Sequence, residues 1–252
     1  FSQIFDAKHQ TVIVVADGNY GIMRILTGQR GSLEQYIHRD FPQKSAIPKD
    51  DLGSRFDDYI SNSTLTSFAD VADAVSLIKM AGPLQKQAFV RSAKDLKVRD
   101  LDHENYVFIG SPASNPWVTL FQDKLNFRET EAAVGKSVKA FANTHPLPHQ
   151  QAQYQGLHWT GMEGEDYATI SLLPNTTNDG SVLILQGLQQ EGTEAAGRFL
   201  MDPENRRQLQ HALDMQVSDT VTQNVWFEAL IRVGTVSGAP SSTTLVAVRK
   251  IM

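Results

Sequence analysis

The sequence contains no cysteine. Disulfide frameworks, thiolate nucleophiles and cysteine metal sites are therefore excluded. Long apolar runs are missing too, and none approaches the roughly 18 residues of a membrane span. Positive charge is in the minority: 23 Lys and Arg stand against 28 Asp and Glu, for a net charge of −5. That balance argues against a general nucleic-acid binder and leaves room only for a local basic patch. Signature motifs are also lacking. There is no P-loop, no GxGxxG and no HExxH, and Ser111 does not sit in a G-x-S-x-G elbow.

What is present suits a globular chain. Of 252 residues, 41% are hydrophobic and 20% charged, which is too apolar for disorder and long enough to bury a core without staples. The length predicts one or two domains at ~150 residues each. With no internal repeat and no convincing linker, the expectation is a single α/β domain over residues 1–252. Two lobes hinged near 129–165 are the alternative. A chain beginning at Phe1 reads as a processed protein or an excised segment of a longer one.

Several elements can be placed. Thr11-Val12-Ile13-Val14-Val15-Ala16 is a β-branched run suited to a strand covered on both faces. Asp17-Gly18-Asn19-Tyr20-Gly21 reads as a turn. Ser32 and Gln35 form a capping box ahead of an apolar face of Leu33, Tyr36, Ile37 and Phe41. Residues 42–66 are polar and predict a surface loop. Ser67 and Asp70 open the clearest helix, whose predicted buried stripe is Phe68, Val71, Ala72, Val75 and Ile78, with Gly82-Pro83 as its stop. Residues 88–92 and 106–109 read as strands. Asn115-Pro116 opens a helix to about Lys124 as N-cap and first helical residue. The stretch 129–165 is an excursion of small strand-like pieces. Residues 167–173 and 181–186 form an antiparallel pair, a helix starts near Thr193, and another runs from Asp202-Pro203 to about Leu213. Residues 225–236 and 243–251 form a terminal hairpin. The order predicts a three-layer α/β fold with a mixed, mostly parallel sheet, helices on both faces and a C-terminal antiparallel hairpin.

Three segments share one design, an apolar strand followed by glycine-rich turn chemistry leading to a helix: Val12–Gly18, Val107–Asn115 and Val182–Thr193. If the strands are parallel neighbours, the turns meet at one carboxyl edge, where open α/β sheets bind ligands. The candidate ligand-binding residues are Asp17 and Asn19 after the first strand. Gly110, Ser111, Ser114 and Asn115 follow the second, and Gly192, Thr193 and Glu194 the third. Each has a plain structural alternative: Gly110 a tight turn, Asn115 a cap, Asp17 a bond to turn amides. Acidic residues beside these helix starts disfavour a bare phosphate and favour a neutral polar ligand, a cation or a peptide. A catalytic set is not legible, and no cofactor or metal is expected. His145, His149 and His158 could form a three-histidine set, but Pro146 and Pro148 forbid a helix there, and surface roles fit them better. Trp117, Trp159 and Trp226 are expected to pack in or around the core.

The run Ile109-Gly110-Ser111-Pro112-Ala113-Ser114-Asn115-Pro116-Trp117, continuing to Leu125-Asn126-Phe127, resembles a family of bacterial proteins without an assigned activity. Leu172-Leu173-Pro174-Asn175, Gly192-Thr193-Glu194-Ala195-Ala196 and Trp226-Phe227-Glu228 extend the likeness, and Asp17 and the Ser32 helix also fit it. Members of that family look like C-terminal segments behind an N-terminal anchor or a DNA-binding region. The resemblance implies a sensing or interaction portion of a longer, anchored or multidomain bacterial protein. The expected function is non-catalytic binding of a small polar molecule or peptide, by a segment that neither spans a membrane nor binds nucleic acid. A hydrolase using Ser111 or Asp17 is the first alternative. The second is an interaction module, with the edge of the terminal hairpin open to a homodimer partner.

Overall fold

The computed structural model describes residues 2–5, 8–82, 87–131, 139–156, 163–215 and 225–251. Strand β1 (Thr11–Val15) is followed directly by helix α1 (Gly18–Thr27). The expected turn after Ala16 is thus the first turn of a helix. The Asp17 carboxylate caps it by accepting from Tyr20 N at 3.2 Å, and Tyr20 and Met23 bury its inner side. Helix α2 (Leu33–His38) opens on the Ser32–Gln35 capping box, as the sequence predicts. The polar stretch expected to be a loop holds a second unforeseen helix, α3 (Asp51–Asn62), capped by Asp50. Gly53 and the five residues Asp51, Ser54, Asp57, Asp58 and Ser61 hide its period. Helix α4 (Phe68–Ala81) has its Ser67–Asp70 cap and ends at Gly82, while Pro83 lies outside the described residues.

After α4 come β2 (Ala88–Ser92), β3 (Asn105–Ile109) and a 3-10 helix, Pro116–Lys124, where an α-helix was expected. Three short strands then form a separate antiparallel sheet: β4 (Phe127–Glu131), β5 (Lys139–Asn143) and β6 (Gln153–Gln155). Long strands β7 (Glu163–Pro174) and β8 (Ser181–Gly187) pair antiparallel. Helix α5 (Gln190–Met201) begins three residues before Thr193, and α6 (Pro203–Asp214) is capped by Asp202. The hairpin β9 (Phe227–Val236) and β10 (Ala239–Lys250) closes the chain. Its turn is only Ser237-Gly238, both at positive φ, so Pro240 to Ser242 belong to the strand.

The main sheet has the order β10-β9-β7-β8-β3-β1-β2. It is mixed: β2, β1, β3 and β8 run parallel, and β7, β9 and β10 join antiparallel. Strand alternation sends two sets of side chains apart. Ile13, Val15, Val107, Ile109, Leu183 and Leu185 cluster with Leu77 of α4, Phe199 of α5 and Leu209 of α6. Val12, Val14, Tyr106, Phe108 and Ile184 cluster instead with Tyr20, Tyr36, Trp117 and Phe121. Phe127, Phe141 and Tyr154 of the small sheet pack on Tyr167 and Leu230. Trp117 lies in the core and Trp226 packs against it, while Trp159 lies outside the described residues.

One helix turns the other way from its expected face. On α4 the buried side is Ala69, Asp70, Asp73, Ala74, Leu77 and Ala81. Phe68 is 83% exposed, and Val71, Val75 and Ile78 are exposed with it. The reason is close approach to α5. A Cβ on Gly197 would collide with the Asp73 carboxylate, so small residues face α5 and the larger apolar ones face outward.

Candidate functional site

The connection after β1 leads to β2 on one side, and the chain then returns to place β3 on the other. The carboxyl ends of β1 and β3 therefore diverge, and a crevice opens between their following loops. The structure has a cavity of about 320 Å³ there. Ala16 and Gly18 line it after β1, Gly110, Ser111 and Ser114 after β3, and Gly187, Gln190 and Thr193 after β8. The three strand-to-helix turns thus do meet at one mouth.

The candidate residues divide in two. Gly110, Ser111, Ser114 and Thr193 line the cavity. Gly110 has φ +98°, and a Cβ there would press on Ala16 and Ser114. Ser111 turns the chain with its carbonyl, which accepts from Ser114 N at 2.9 Å and Asn115 N at 2.7 Å. Its hydroxyl accepts from Ala113 N at 3.3 Å. Thr193 Oγ1 accepts from Gly187 N at 3.0 Å and closes the end of β8. The other five candidates do not line the cavity. Asp17 is buried, with one oxygen on Tyr20 N and the other on Tyr36 OH at 3.0 Å. Asn19 donates to Ile60 O at 3.0 Å and Ser63 O at 2.6 Å, holding the end of α3. Asn115 does not cap with its side chain. Its Nδ2 donates to Val14 O at 3.2 Å and Ile109 O at 3.0 Å, joining the ends of β1 and β3. Gly192 lies against Asp166, where a Cβ would collide with the carboxylate. Glu194 pairs with Arg198 one turn on.

No protein-family model, curated protein or solved structure matches the chain.

Further lining residues come from elements distant in sequence. Asp70 reaches the crevice from α4, accepting from Ala16 N at 2.8 Å, Thr66 Oγ1 at 2.8 Å and Ser67 Oγ at 2.6 Å. Burial raises its pKa against these donors. Arg24 of α1 pairs with Glu131 at the end of β4, and Lys139 of β5 pairs with Glu129 at 3.3 Å. The spacing of Ser67 and Asp70 announces the cap but not the reach to β1. Arg24 follows the first turn on α1, whereas Glu131 and Lys139 carry no sequence signal, because only the tertiary path of the small sheet brings them in.

The starts of the three α-helices around the mouth, α1, α4 and α5, are each answered by a buried carboxylate. Asp17 serves α1 and Asp70 serves α4. Asp166 of β7 serves α5, accepting from Gln189 N at 3.1 Å and Gly192 N at 2.7 Å. Burial pushes Asp166 up to about 6, although three backbone N–H groups pull it down. The positive helix ends that would draw an anion are thereby neutralised. Arg24 and Lys139 at the mouth are paired with Glu131 and Glu129, Asp70 is held among the described residues by neutral donors alone, and hydroxyls and amides complete the polar lining. None of the described histidines lines it. His145 and His149 lie in the loop after β5, His158 lies outside the described residues, and no three-ligand metal cluster occurs among the described residues. No helix among the described residues is long and apolar enough to cross a membrane.

Proposed function

We propose that this chain is a non-catalytic ligand-binding or ligand-sensing domain of a longer bacterial protein, and that its ligand is a small, neutral, polar molecule or short peptide. The observation that carries the reading is the crevice of about 320 Å³, with hydroxyls and amides on its walls and a carboxylate already set at the starts of α1, α4 and α5. A neutral guest keeps the paired charges intact, whereas a charged one would have to break them at a desolvation cost. The sensing role and the longer parent protein rest on the family resemblance alone. The two packing clusters on opposite sides of the sheet support a three-layer arrangement.

The test is a binding screen by ligand-observed NMR with sugars, nucleosides and neutral dipeptide amides. Ser111→Ala and Gln190→Ala should each weaken a saturable binder by about tenfold, the worth of one buried hydrogen bond. Ala113→Trp should block it. Affinity indifferent to all three substitutions would remove the crevice from consideration. Ester or phosphate turnover abolished by Ser111→Ala would put the hydrolase reading first.

A second reading, as a self-association module, has its own observation. Phe68, Val71, Val75 and Ile78 present an outward apolar stripe, and the sheet ends in two edge strands, β2 and β10. Such surfaces are characteristic of interfaces.

A further inference from the structure

A second cavity of about 160 Å³ is lined by Asp17, which does not line the crevice. Three cations line this smaller space: Arg39 from the end of α2, Lys44 from the 3-10 helix Pro42–Ala46, and Lys94 from the 3-10 helix Ala93–Asp95. They come from three different elements, so their convergence is tertiary. Arg39 donates to the backbone oxygen of Lys94 at 3.3 Å, which ties the end of α2 to the chain that carries Lys94. Lys94 Nζ donates to Ser63 O at 2.8 Å and Ser61 O at 3.3 Å, both neutral acceptors. Among the described residues neither Arg39 nor Lys94 has a carboxylate within ion-pair distance. Lys44 does, pairing with Asp57 at 3.2 Å, but both groups are 41% exposed and solvent screens them. The one carboxylate on the wall is Asp17, whose oxygens are taken by Tyr20 N and Tyr36 OH. Among the described residues Arg39 and Lys94 lack an ion-pair partner and exceed the single wall carboxylate, so an anion held among the three cations gains attraction.

A second observation refines the ligand. Asn19 is 2% exposed and lines the same cavity. Its Nδ2 is satisfied, but its Oδ1 has no hydrogen-bond partner among the described residues. A buried acceptor without a donor is costly. We propose that this cavity binds a small oxyanion that also carries an O–H donor: hydrogen phosphate or a 2-hydroxy carboxylate. The cations take the charged oxygens and Asn19 Oδ1 takes the hydroxyl. Met23, Phe41 and Ile60 supply apolar wall and limit the guest to a few heavy atoms. The site stands independently of the crevice and shares no lining residue with it.

Met23 is the natural reporter. The methionine methyl groups are labelled with ¹³C, and the chain is titrated with sodium phosphate, glycolate, acetate and chloride at constant ionic strength. The expected result is a saturable shift of the Met23 methyl with phosphate or glycolate, with acetate weaker and chloride inert. Saturation by phosphate alone or by glycolate alone identifies which source of the shared chemistry the site takes. Arg39→Gln and Lys44→Gln, both at exposed positions, should each weaken binding by about tenfold without changing the thermal transition in anion-free buffer. A non-saturating shift, an equal response to chloride, or undiminished binding in both variants overturns the site. Acetate binding as tightly as glycolate overturns the role given to Asn19.

Discussion

Glu228 shows how much a single buried group contributes here. It is fully buried on β9 and accepts from Asn126 N at 2.8 Å and Phe127 N at 3.1 Å, which ties the start of the small sheet to the large one. Burial pushes its carboxyl from 4.5 up to about 8, with Arg249 and Arg128 pulling the other way. The folded chain therefore holds a proton at Glu228 that the unfolded chain has released between those two values. The stability this contributes is fully present below about pH 4.5 and is lost as pH rises through about 8. Chemical denaturation from pH 5 to 8 should show falling stability, and Glu228→Gln should flatten that slope. A variant whose slope matches the parent would mean that Glu228 is ionised throughout. The same scale explains why Asp17 could not be resolved from sequence: a carboxylate that closes a strand can face a ligand or cap a helix, and the local residues are identical in both cases.

At the level of elements, α4 and α5 depend on closeness. Alanine is the better helix former than glycine by about 1 kcal/mol, yet Gly197→Ala should destabilise the fold, because the new methyl meets the Asp73 carboxylate. A thermal transition lowered by several degrees is expected, and a raised one would show that the two helices can part. This contact also accounts for what was unreadable in the sequence. Phe68, Val71, Val75 and Ile78 are more hydrophobic than Ala69, Asp73 and Ala74, so apolarity selects the wrong face. Burial of the small face is decided by Gly197, more than a hundred residues away. Helices α1 and α3 were hidden by Gly18, Gly21, Gly53 and their aspartates. By contrast β1, β3 and β8 were legible, since β-branched runs covered on both faces leave an unbroken apolar signature. The loops of the crevice were readable for the same reason. Asp70, Glu131 and Lys139 reach it only through long-range topology.

For the whole molecule, the outward stripe of α4 stands beside the edge strand β2 at one end of the sheet. Light scattering across concentration should show reversible dimerisation, and Phe68→Ser should abolish it while leaving the thermal transition of the monomer nearly unchanged, since Phe68 is 83% exposed. A strict monomer in both forms would end the self-association reading. The crevice is fixed differently. One amide, Asn115 Nδ2, bridges the terminal carbonyls of two neighbouring strands, and buried carboxylates brace the helices behind them. The gap is thus set at a constant width before any guest enters. Were the proposed ligand bound there, recognition would proceed by shape selection on a preformed template, with little entropy surrendered by the protein and little induced movement to relay. Any signal sent onward would have to travel through the guest's own contacts with a neighbouring chain, which would read the filled gap as part of its binding surface.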